Sequence, residues 1–141
     1  MQKIELENGV KVIFRNGFVN VTHPENFEMS PAAVNEIFTA VAETCKKNAC
    51  YRVLGEGKLN VSKMNSWDSF NTGTQVGEIR GLQLACLFED FVPDERFEFF
   101  KTVAANRGVR VEIFNRRGAA LEWLGVTEDR ETARPLLTRA E

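Results

Sequence analysis

Histidine occurs once in these 141 residues, tyrosine once and cysteine three times. One histidine, His23, rules out a metal set built on two imidazoles, and no cysteine pair stands beside it in the chain. Cys45, Cys50 and Cys86 are odd in number and match neither a disulfide framework nor a zinc pattern. Excess charge is also scarce: 18 basic residues face 20 acidic ones, for a net charge of −2. That balance leaves no basic footprint, so nucleic acid is not an expected partner. No apolar run approaches the roughly 20 residues that span a bilayer. The opening MQKIELENG has neither a signal core nor an Arg-rich presequence. No membrane span is expected, and a reducing cytoplasm is the expected setting. A Gly-rich phosphate loop ending in Lys-Ser/Thr, a G-x-G-x-x-G after a strand and a G-x-S-x-G elbow are all missing. The sequence therefore assigns no catalytic residue, no cofactor and no metal ligand.

Phenylalanine, with 11 copies, is what the chain has in plenty. Most of these rings fall on strand or helix faces, which points to core packing. A hydrophobic share of 43% with 27% charged residues suits one globular domain, expected over residues 1–126, followed by a charged tail over 127–141.

The stretch Gly81 to Phe114 organises the rest. Leu82, Leu84, Ala85, Leu87 and Phe88 form a nearly continuous apolar run, as in a strand buried on both faces. Asp94 is the N-cap of a helix carrying Phe97, Phe100, Val103, Ala104 and Arg107 at helical spacing, and Gly108 supplies its left-handed stop. Val109, Val111 and Ile113 then alternate as the next strand. A unit this compact implies parallel strands joined by a crossover helix. Ahead of it, Asn8-Gly9 and Asn16-Gly17 separate three alternating runs, which predicts an antiparallel meander that His23-Pro24 ends. Ser30-Pro31 starts a helix with Val34, Ile37, Phe38, Val41, Ala42 and Cys45 on one face. Tyr51 to Leu54 reads as a short strand stopped by Gly55-Glu-Gly57. Ser62 or Asn65 caps a weaker helix within Val61 to Arg80, whose Gly73 and Gly77 share a face and let it lie close against the sheet. Asn115 caps a last helix carrying Ala120, Leu121, Trp123 and Leu124, ending at Gly125. The fold class is α/β, a mixed sheet of an N-terminal antiparallel meander plus parallel βαβ units, flanked by about four helices.

In this order of elements the chain resembles the small stand-alone proteins of the SpoIIAA-like (STAS-type) fold, more distantly the Sec14-type lipid-binding domains. The residues carrying the resemblance are Gly81-Leu-Gln-Leu-Ala85, Ala104-Ala-Asn-Arg-Gly108 and Ala120-Leu-Glu-Trp-Leu124. The resemblance implies a non-enzymatic protein acting in regulation by binding another protein. In anti-sigma-factor antagonists the working serine lies in an Asp-Ser-Ser-Gly-like turn before a helix. The matching turn here holds Ser62 without that motif, so Ser62, Asn65, Ser66 and Trp67 are the expected partner-binding or regulatory surface. The Sec14-type likeness implies instead a small apolar or lipid-like ligand in a cavity lined by Phe70, Phe91 and Phe97.

Other residues carry weaker readings. His23, before a proline, is expected on the surface of a loop. Glu89, Asp90, Asp94 and Glu95 gather beyond the central strand, where open sheets bind ligands. Asp90 and Asp94 with Mg²⁺ would make a third, enzymatic reading, against which helix-start acids complementing a dipole weigh more. Arg116-Arg117 would face an anionic partner. A homodimer through a sheet edge or helix is compatible with all of this.

Overall fold

Both Asn-Gly dipeptides make the turns their sequence predicts. The computed structural model describes residues 2–89 and 91–127; Asp90 and the expected tail beyond Thr127 lie outside the described residues. Strands β1 (Gln2–Glu5), β2 (Lys11–Arg15) and β3 (Phe18–His23) pair antiparallel in sequence order. Asn16 and Gly17 both have positive φ, 53° and 84°, as the two-residue turn that matches strand twist requires.

The chain then alternates helix and strand. Helix α1 (Pro31–Asn48) starts where Ser30 accepts a hydrogen bond from the Ala33 amide, with Pro31 in the first turn. Strand β4 (Arg52–Lys58), helix α2 (Ser66–Gly77), strand β5 (Gln83–Glu89), helix α3 (Glu95–Ala105), strand β6 (Arg110–Ile113) and helix α4 (Arg117–Leu124) follow. The six described strands form one sheet in the order β1-β2-β3-β4-β5-β6, parallel from β3 onward. Three crossovers that all step the same way, with the usual hand, put their helices on one face. Accordingly Val34, Ile37 and Val41 of α1, Val76 of α2 and Phe97 and Ala104 of α3 share a core with Val19, Val21, Val53 and Leu84. Helix α4 covers the opposite face, where Ala120, Leu121 and Leu124 pack on Phe18, Leu54 and Ala85. Arg117 donates to both Glu56 carboxylate oxygens at 2.6 and 2.7 Å, so it ties α4 to the sheet instead of facing an anionic partner. Glu56 also accepts from the Asn20 side chain at 2.8 Å, which keeps that residue, 1% exposed, satisfied in the core.

Three expectations need correction. Strand β4 does not stop at Gly55-Glu-Gly57 but runs through both glycines to Lys58. Gly57, at φ +113°, passes so close to β3 that a Cβ would overlap the His23 carbonyl oxygen. Here glycine permits a close approach of two backbones rather than ending a strand. Gly73 and Gly77 face α3, not the sheet: a Cβ on Gly73 would stand 2.8 Å from Val103 Cβ, and one on Gly77 would run into the Arg107 side chain. Helix α4 begins one residue later than an Asn115 cap would start it, with Arg116 at the cap position and no side-chain bond there.

Replacing Gly57 by alanine combines an unfavourable φ with a backbone collision and should cost about 2–4 kcal/mol. Gly17→Ala meets the strain alone, since nothing lies within 4 Å of its Cβ position, and should cost about 1–2 kcal/mol. Urea unfolding of the two variants compares them; equal losses would show that the β3–β4 approach is not tight.

Candidate functional site

Alternation along β3 and β4 decides what faces the helices. Val19, Val21 and His23 project to the side of α1–α3, and in register with them stand Val53, Gly55 and Gly57, then Leu84, Cys86 and Phe88 of β5. The middle strand thus offers two missing side chains in a row. Across Gly57, His23 and Phe88 lean toward each other until their ring centroids are 4.9 Å apart. Phe88 also fills part of the space over Gly55, where its ring would stand 3.3 Å from a Cβ. The rest of that space is an apolar cavity of about 110 Å³ at the carboxyl ends of the parallel strands. Ile37 and Phe38 of α1 and Phe97 and Phe100 of α3 contribute walls, and Met29, Leu59, Val61, Met64 and Phe91 come in from the loops.

One arginine fastens those loops. Arg96, in the first turn of α3, donates through Nη1 to the Val61 carbonyl at 3.2 Å and the Met64 carbonyl at 2.8 Å. Its Nε and Nη2 donate to Asp94 Oδ2 at 3.1 and 2.9 Å. Asp94 is the α3 N-cap, accepting from the Arg96 and Phe97 amides as the sequence predicts. The Arg96 side chain, with the amides, holds the Asp94 carboxyl below its ordinary range. The Met29 amide adds a bond to the Asn60 carbonyl at 2.8 Å, so the loops after β3 and β4 are stitched together over the core.

His23 is not a surface histidine. It ends β3 on the valine face, is 9% exposed, and lies between Phe27 and Phe88. Its Nδ1 is 3.0 Å from the Lys58 carbonyl oxygen. Burial lowers its pKa to about 4, against a small opposing effect of that hydrogen bond. The signal was in the sequence, because the period-2 pattern Val19, Val21 continues onto residue 23. Burial likewise pushes the Cys86 thiol, in the cavity wall, up to about 12, so it stays protonated and unreactive.

The residues expected to meet a partner are brought together on the surface only in part. Ser62, Asn65, Ser66 and Trp67 are all exposed. Asn65, not Ser62, is the cap of α2: it accepts from the Asp68 amide at 2.8 Å, and Asp68 returns a bond to the Asn65 amide at 3.0 Å. This reciprocal arrangement occupies two of the amide donors at the helix start, those of Asn65 and Asp68. Ser62 sits in the preceding turn, its amide bonded to Asn60 Oδ1 at 2.9 Å. Trp67 is 67% exposed and stacks on Phe70 at 5.6 Å, which stacks on Phe99 at 6.1 Å. Phe70 therefore belongs to this outer ladder, while Phe91 and Phe97 line the cavity as expected. Of the acidic group, Asp94 is engaged by Arg96, Glu89 lies 3.8 Å from Lys58, and Asp90 is outside the described residues. Among the described residues, no three His, Cys, Asp or Glu side chains converge as a metal set, and no helix is long and apolar enough to cross a membrane.

No family model matches this sequence, and no curated protein is significantly similar to it.

A histidine with a folded pKa near 4 and an unfolded value near 6.5 binds its proton more readily when the chain unfolds. Its contribution is complete above about pH 6.5 and is lost as the pH falls toward 4. Wild-type stability in urea should drop by roughly 3 kcal/mol more between pH 7 and pH 4 than that of His23→Gln, which keeps a donor for Lys58 but does not titrate. Parallel pH profiles for the two proteins would contradict the buried, neutral imidazole.

Proposed function

We propose that this protein is a binding module for one small apolar molecule, held between the sheet and α1–α3. The cavity floored by Gly55 and walled by phenylalanines is the observation that carries the reading. Its place agrees with the rule that open parallel sheets take ligands beyond the carboxyl ends of their strands. Magnitudes support it too. An unfilled apolar space of about 110 Å³ leaves a core roughly 2–3 kcal/mol short of one that is filled. A fold that keeps such a space gains nothing in stability from it, as expected where function needs the room. Size narrows the ligand: an apolar cavity of about 150 Å³ takes benzene, so a space of about 110 Å³ takes nothing larger than a single ring or a short branched chain. The lipid suggested by the Sec14-type likeness is scaled down accordingly.

Toluene is a suitable probe. Saturating toluene should raise the melting temperature and shift amide resonances of cavity residues such as Val53 and Phe97. Cys86→Leu, which grows a side chain into the space, should abolish both effects while the unliganded protein melts no lower than the wild type. Toluene that moves neither the melting temperature nor those resonances would overturn the reading.

A second reading rests on the aromatic ladder. Trp67 is the large side chain left exposed at the start of α2, and its stacking through Phe70 to Phe99 makes a preformed surface. The STAS-type likeness supports a protein contact there, with Asn65 and Ser66 beside it, in a cytoplasmic setting. A partner held by the wild-type chain should be lost from Trp67→Ala and Phe99→Ala, with toluene binding kept; retention by both variants would remove this surface from consideration.

A further inference from the structure

The chemistry of the cavity wall narrows the ligand further, on the premise that the cavity binds one. Charge inside it is already spoken for. Four of the five N–H groups of Arg96 go to Asp94 and to the Val61 and Met64 carbonyls. The Thr72 hydroxyl donates to the Asp68 carbonyl at 2.7 Å. Cys86 keeps its proton. A carboxylate or phosphate entering this space would give up its hydration with no cation released to meet it.

His23 differs from all of these. A carbonyl oxygen only accepts, so the 3.0 Å contact between Nδ1 and the Lys58 oxygen fixes the proton on Nδ1. The neutral ring then presents Nε2 as an acceptor, on a side chain that lines the cavity. Phe27 and Phe88 on either side hold the ring in place, at 4.5 and 4.9 Å between centroids. We infer that the cavity selects a neutral molecule whose small apolar body carries one hydroxyl, a phenol or short alcohol, received by Nε2 of His23, and that it rejects carboxylates and phosphates. Burial keeps the imidazole neutral, with its pKa near 4, so the acceptor persists throughout the neutral range. A hydroxyl that meets this acceptor gains a hydrogen bond that a purely apolar ligand cannot make, which turns one contact into selectivity.

Phenol, toluene and benzoate test this, with binding followed by NMR titration at pH 7.5. The ratio of the toluene to the phenol dissociation constant should fall by about tenfold in His23→Phe, which keeps a ring between Phe27 and Phe88 but removes the acceptor. Benzoate should bind at least tenfold more weakly than phenol. Because His23 is the one histidine of the chain, its imidazole ¹⁵N signals are unambiguous and stand in should His23→Phe fail to fold. Phenol should then shift the Nε2 signal of the wild type, and toluene should leave it in place. An unchanged ratio, an unmoved Nε2 signal, or benzoate binding as tightly as phenol would overturn the inference while leaving the cavity as a binding site. Failure of both toluene and phenol to bind would instead remove the cavity reading itself.

Discussion

The approach of two backbones at Gly57 and His23 is the constraint on which the functional side of this molecule depends. No side chain fits between β3 and β4 there, and the φ of +113° suits glycine alone. Because Gly57 presents nothing to the helical face, the rings on either side close over it and bury the imidazole. The same strand carries Gly55 one step earlier, where the gap is only partly filled by Phe88. One gap is thus closed by aromatic contact and the other stays open as the cavity.

Strand β4 serves both faces through its period of two. Val53, Gly55 and Gly57 turn toward α1–α3, while Leu54 and Glu56 turn toward α4. Leu54 packs under Ala120 and Leu124, and Glu56 gathers Asn20 and Arg117 around one carboxylate. A charged group at 20% side-chain exposure is tolerable because its partners are fixed: a guanidinium from the helix and an amide from the neighbouring strand. The polar anchoring of α4 leaves the opposite face free to be almost wholly apolar. On that face Arg96 is engaged with Asp94 and the loop carbonyls, while His23 uses Nδ1 on the Lys58 carbonyl and keeps Nε2 as an acceptor. The charges that do line the cavity, Asp94 and Arg96, are paired with each other.

Much of this was legible in local signals. Asn16-Gly17, Ser30-Pro31 and Asp94 are each a short stretch whose own hydrogen bonds or φ preferences suffice, and each does in the structure what it announces. Helical spacing placed the buried faces of α1 and α3, except that Arg107 is exposed and lies past the end of α3. The misread residues have a common cause. Gly55 and Gly57 read as punctuation, and His23 as loop, because a glycine before a loop and one between two close strands look alike along the chain. Gly73 and Gly77 were recognised as a close-packing face, but periodicity does not name the neighbour, which is α3. Ser62 and Asn65 were equal candidates until the reciprocal bond with Asp68 selected Asn65.

The sequence by itself determined the class, the order of elements, the turns and most of the core, since these follow from alternation, capping and the missing charge excess. It also held part of the cavity wall, as phenylalanines, one glycine and one histidine spread between His23 and Phe100. Only the tertiary structure decided which of them meet. Strand register set His23, Gly57 and Phe88 in one row, and crossover packing brought Arg96 under the loop carbonyls of Val61 and Met64. Contacts of that kind join residues 30 or more positions apart, and no local preference encodes them; they exist only once the strands have paired and the helices have closed over them.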